Sequence, residues 1–201
     1  AAHGYMAYWL GDNTAKLQGR LSLSPIRHID PIGTIAVPLG LFVLSTLTGS
    51  GLFLFGWAKP VPFDPRKFKN PRKDIALTAF AGPASSFIQA FLWAIVLIIV
   101  SGMESTYGDE PTLTKGLQIM AQYGVLINVF LMVLNLMPIP PLDGGKIAMM
   151  LLPYNLAKQL EKVEPYGLWV IIGLLYLGLL PLSLISGMIV KLILSILGIF
   201  F

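Results

Sequence analysis

The chain has 201 residues, 55% of them hydrophobic and 12% charged, with a formal net charge of +4 at pH 7. Its charged fraction is about half the roughly 25% of a soluble domain, which excludes a fold that sees only water. The complete lack of cysteine excludes disulfides and thiolate ligands, so a metal would have to be held by His, Asp or Glu.

In chain order, the opening residues 1–12 (AAHGYMAYWLGD) read as the second half of an apolar helix ending at Gly11, with no polar start or cap before it. Beyond them lie four runs without Asp, Glu, Lys, Arg or His, at 31–58, 75–103, 117–142 and 165–190. A spanning helix needs roughly 20 apolar residues, so each of the last three suffices for one crossing. The first run is flanked by Lys16, Arg20 and Arg27 on one side and by Lys59, Arg66, Lys67, Lys69, Arg72 and Lys73 on the other. Basic loops stay cytoplasmic, which returns both of its ends to one side. Two crossings would need about 40 residues. The run is therefore expected as a short hairpin or re-entrant element, broken by Gly33, Pro38, Gly40 and the glycine turn at 49–51, with 34–37 available as an edge strand for an extended substrate.

Alternation from the basic loop puts the acidic stretch 104–110 outside and 143–164 back inside. The chain re-enters at 166–180. Pro181 and the 183–187 stretch then interrupt the apolar run, leaving 188–201 as a second apolar piece. The expected fold class is α: a polytopic membrane protein of several transmembrane helices, with a re-entrant or β-hairpin element near 31–58, forming a single membrane-embedded unit over 1–201.

Two constellations bear on chemistry. A His-Glu-x-x-His motif sets two imidazoles four residues apart on one helical face, with a glutamate beside them to take a proton. If His3 is the second histidine of such a motif, Ala1 and Ala2 are its spacers, and the first histidine and the glutamate lie immediately upstream. Taken alone, His3 reads first as a satisfied histidine packed in an apolar bundle. Far along the chain, Asn135-Leu136-Met137-Pro138-Ile139-Pro140-Pro141-Leu142-Asp143-Gly144-Gly145 ends a helix with three prolines and delivers a carboxylate at the cytoplasmic edge. Asp143 with two glycines also makes an ordinary turn, and a turn and a ligand are compatible. His28 and Asp30 read as a solvated turn. The Lys59–Lys73 cluster reads as a topology signal that also meets anionic headgroups, with no nucleic-acid role.

The pairing of an Ala-His-Gly helix with Asn135-x-x-Pro138-x-Pro140-x-Leu142-Asp143-Gly144 resembles the site-2 protease family of membrane zinc metalloproteases. Gly11-Asp12, Gly19 to Pro25, His28 to Thr34, Gly56 to Val61 and Ala81-Gly82-Pro83 extend the likeness over most of residues 3–150. Ser86 and Ser24 depart from it, standing where the family often has Asn. The resemblance implies that His3 and Asp143 are two of three protein ligands to Zn2+, and that Asn135 positions the substrate. It also implies that the third ligand and the general-base glutamate precede residue 1, so that no catalytic residue lies within the chain and these 201 residues alone have no peptidase activity. The implied function is intramembrane zinc endopeptidase action on membrane-anchored proteins in a bacterial cell membrane, with the site near the cytoplasmic side. Two alternatives stay open: an inactive homologue that binds client helices, and a transporter or channel element with Asp143 lining an ion path.

Overall fold

A computed structural model describes residues 1–22, 24–48, 56, 58, 59, 61–107 and 113–198. It forms two compact units, residues 1–74 and 75–201, and the described residues are helical or irregular, without strands.

In the first unit, α1 (Ala2–Trp9) is followed by Gly11 at φ 106°, a left-handed turn that glycine takes without strain, and by the single turn α2 (Thr14–Leu17). The two short helices contact each other, with Ala7 and Ala15 fully buried. A π-helical turn, Pro31–Ala36, then leads into α3 (Val37–Thr48). Asp30 starts it by accepting from Ile32 N at 3.0 Å and Gly33 N at 2.8 Å. The wide turn also leaves room for Pro38, which has no N–H to donate and would crowd the carbonyl four residues before it in a regular helix.

The edge strand expected at 34–37 is thereby corrected: those residues are helical, and the β-hairpin reading does not hold for 31–48. The apolar periodicity of a short Ile-Ala-Val segment does not separate strand from helix, and the Asp30 cap decides for helix. The glycine turn at 49–51 and residues 108–112 lie outside the described residues. His28 and Asp30 do not form a metal pair, since His28 Nε2 sits 2.8 Å from Ser22 O while Asp30 caps the turn.

Helix α4 (Pro71–Tyr107) starts four residues before the uncharged run. Pro71 occupies the first helical position, and Asp74 Oδ2 accepts from Asn70 N at 2.9 Å. Helix α5 (Leu113–Leu136) runs up to the residue before Met137 and stops ahead of Pro138. Three helices are long and apolar enough to cross a membrane among the described residues: Pro31–Thr48, Pro71–Gly102 and Leu113–Leu136. The chain is an integral membrane protein.

After α5 come α6 (Asp143–Leu151), α7 (Tyr154–Glu161), α8 (Gly167–Tyr176) and α9 (Leu182–Ile196), and the second unit is centred on α4, α5 and α9. Ala90, Ala94 and Leu97 of α4 meet Ala121, Val125, Val129 and Met132 of α5, with Leu182, Ile193 and Leu194 of α9 closing the core. Small residues let backbones approach where the solvent is itself apolar. At Gly124 the approach is extreme: a β carbon there would fall 2.5 Å from the Trp93 ring of α4.

The apolar run expected to re-enter at 166–180 is divided into α8 (Gly167–Tyr176), ten residues long, and α9, fifteen residues long. At 1.5 Å per residue, α9 reaches about 22 Å, short of a roughly 30 Å hydrocarbon core. Gly178 in the left-handed region and Pro181 divide the apolar run.

Candidate metal centre

The proline loop between α5 and α6 (Asp143–Leu151) is built by backbone hydrogen bonding. Met137 N donates to Leu134 O at 3.1 Å, Ile139 N to Met137 O at 2.8 Å, and Leu142 N to Ile139 O at 3.0 Å. The Pro140–Pro141 bond is cis. Asn135 lies in the last turn of α5 and is half-buried, while Asp143 opens α6. A carboxylate in the first turn of a helix is favoured by the positive end of the helix dipole.

Glycines let the two helices and the loop close on each other. A β carbon at Gly145 would stand 2.6 Å from Ile139 C and 2.7 Å from Pro140 Cα. One at Gly144 would fall within 3.0 Å of the Leu136 and Met137 carbonyl oxygens. From the other side, Gly167 at the start of α8 presses on Pro140, where a β carbon would stand 2.6 Å from Pro140 C. The loop that carries Asp143 is thus clamped between the first residues of α6 and of α8. The sequence marks Gly144 and Gly145 by adjacency to Asp143, but nothing local to Gly167 announces its part.

Asp143 keeps 13% of its side chain exposed, and Lys146 Nζ lies 3.9 Å from its Oδ1. That pair is loose and the lysine a third exposed, so the ammonium can turn to water when another cation takes the carboxylate. The structure thus brings Asn135 and Asp143 to the two ends of one loop in the second unit. His3 belongs to the first unit, half-buried on α1 beside the buried Gly4.

Imidazole nitrogen and carboxylate oxygen are both ordinary zinc donors, so the donor types fit that ion. Among the described residues no three His, Asp or Glu side chains gather into a metal cluster. Among the described residues two acids are buried, Asp74 in the first turn of α4 and, fully, Asp12 just after α1. Burial pushes the Asp12 carboxyl up, but hydrogen bonds from the Thr14 hydroxyl and from the backbone N–H groups of Asp64 and Thr14, with the Lys67 charge, outweigh burial and hold it below its ordinary value.

Comparison with known proteins finds its likenesses around this loop and beyond it. The model of a family described as Peptidase family M50 matches residues 99–179, the stretch that holds α5, the proline loop and α6. YwhC of Bacillus subtilis (strain 168), provisionally named a zinc metalloprotease, is 38% identical over 165 residues, covering 81% of this chain and 68% of that protein. Rip2 of Mycolicibacterium smegmatis (strain ATCC 700084 / mc(2)155), named in the same provisional way, is 22% identical over 146 residues. That match covers 71% of this chain and 48% of Rip2. No solved structure matches at a significant level.

Proposed function

This chain belongs to peptidase family M50, and from that premise we propose that it is the membrane-embedded core of a zinc endopeptidase that hydrolyses peptide bonds in or near the transmembrane segments of membrane-anchored proteins. The observation that carries the reading is the seat of Asp143: a carboxylate seven residues beyond the end of a membrane-length helix, at the close of a loop clamped by backbone contacts at Gly144, Gly145 and Gly167. Such a seat keeps a ligand in place at the boundary between hydrocarbon and water.

His3 and Asp143 would hold the zinc, the first through a neutral ring nitrogen and the second through an ionised carboxylate. Zinc supplies Lewis acidity toward a scissile carbonyl and toward water. The family resemblance assigns the remaining ligand and the glutamate base to the turn of helix preceding residue 1. Asn135, one helical turn before the prolines, offers a carboxamide that can donate to a substrate carbonyl and accept from a substrate N–H. A substrate helix hides its carbonyls in its own hydrogen bonds and has to unwind before it is cut, and a carboxamide beside the site offsets part of that loss. The charge pattern favours the cytoplasmic side of a bacterial cell membrane for this site.

The test is cleavage of a membrane-anchored reporter by the protein expressed from its whole gene, with bound zinc measured alongside. Asp143→Ala is expected to lose both zinc and cleavage. Asn135→Ala is expected to keep its zinc and lose about 100-fold in rate, the scale of a missing transition-state donor. An Asp143→Ala protein that retains zinc and cleaves at the wild-type rate overturns the reading.

A further inference from the structure

Asp12 takes no part in the chemistry above, yet it is the most thoroughly bonded acid in the first unit. Its Oδ1 accepts from Thr14 N at 2.9 Å and from the Thr14 hydroxyl, and its Oδ2 accepts from Asp64 N at 2.7 Å, 52 positions away in sequence. Lys67 Nζ stands 3.7 Å from Oδ1 and donates to Asn13 Oδ1 at 3.2 Å and Thr14 Oγ1 at 2.8 Å. The same segment also meets the far end of α1. A β carbon on Gly4, the neighbour of His3, would fall 3.0 Å from both Val61 Cγ1 and Leu21 Cδ2. Residues 61–67 therefore lie along α1 as a strap, touching it by apolar contact at Gly4 and by hydrogen bonds just beyond its end.

In a folded protein a helix is held mainly by its tertiary contacts rather than by its own propensity, so the rotation of α1 comes from what it touches. We propose that Asp12 is a positioning residue for the metal centre: it fastens the 61–67 strap along α1 and thereby fixes the direction in which His3 is presented. The proposal rests on His3 being a zinc ligand. The leverage is large. A ring carried roughly 5–6 Å from the helix axis moves about 2 Å when the helix turns by about 20°, against a tolerance of about 0.2 Å for a zinc–nitrogen bond. Removing the carboxylate leaves the partly buried Asp64 and Thr14 N–H groups without their acceptor, which loosens the strap.

The chain has two histidines, His3 and His28, and His28 is tied separately to Ser22 O, so it serves as an internal control. The test is histidine-selective NMR on the detergent-solubilised protein, together with zinc affinity measured against a competing chelator. In Asp12→Ala the His3 ring signals are expected to shift or broaden while those of His28 stay, and zinc affinity to fall about 10- to 100-fold, the scale of an outer-sphere loss. Asp12→Asn keeps an oxygen acceptor and is expected to recover part of that loss. Unchanged His3 signals and unchanged zinc affinity in Asp12→Ala overturn the proposal. Zinc affinity that survives His3→Ala overturns the ligand assignment instead, whatever Asp12 does. If Asp12→Ala does not fold, Lys67→Met and Thr14→Val loosen the same strap and carry the same expected and contrary results.

Discussion

Gly145→Ala tests how tightly the Asp143 loop is clamped. The added methyl would stand 2.6 Å from Ile139 C and 2.7 Å from Pro140 Cα, where ordinary contact begins at 3.4 Å. Backbone therefore has to part by at least about 0.8 Å, and by more at Pro140 N, the nearest atom, because no flexible side chain is there to give way. Overpacking of this kind costs about 1–3 kcal/mol, or roughly 2–12 °C in thermal midpoint for a chain of this length. The displacement begins two residues from Asp143, so zinc affinity is expected to fall with stability. Gly116→Ala is the control. Gly116 lies in α5 with nothing within 4 Å of its β carbon, and alanine there should stabilise by about 0.5–1 kcal/mol. The assay is thermal unfolding in detergent followed by circular dichroism. If Gly145→Ala melts at or above the Gly116→Ala protein, the backbone clamp is not real.

Contacts elsewhere in the two units carry further expectations. Gly124→Val drives a branched side chain into the Trp93 ring, and the double variant with Trp93→Ala should lose about 0.5–3 kcal/mol less than the two singles added, as measured by unfolding. Asp12 has a carboxyl held below its ordinary 3.8, so its contribution to stability is present above that pH and drains away as pH falls through the lower folded-state value. Acid unfolding monitored by tryptophan fluorescence should therefore show a steeper loss below about pH 4 in the wild type than in Asp12→Asn. Arg66, Lys69 and Lys73 stand exposed where α4 begins. Changing all three to Gln should lower retention of anionic over neutral phospholipid, read by lipid mass spectrometry of the purified protein.

The sequence displayed best what a single local signal decides. Gly11 announced the end of α1, and Pro138 the end of α5, because a left-handed turn and a missing N–H act within one turn of helix. It misled where one run of apolar residues had more than one packing solution. The 165–190 run is uncharged throughout, yet Gly178 and Pro181 cut it into α8 and α9, and α9 packs on α5. At 34–37 the β-branched residues suggested a strand, and the Asp30 carboxylate, capping from outside the segment, made it helical. Asn135 and Asp143 were legible as a spaced motif. The roles of Gly167 and Asp12 were not, because both act through contacts with residues far away in sequence, Pro140 and Asp64.

The central claim is that His3 and Asp143 serve one zinc ion, which would bring their donor atoms within about 4 Å of each other. These 201 residues hold no cysteine, so a His3→Cys, Asp143→Cys variant carries one thiol pair within them. Treated in membranes with a short bis-maleimide, that pair is predicted to cross-link within the chain at high yield, blocked by prior addition of a thiol-binding metal such as cadmium. A yield no greater than that of a pair with the second cysteine at Lys115, at the opposite end of α5, would contradict it.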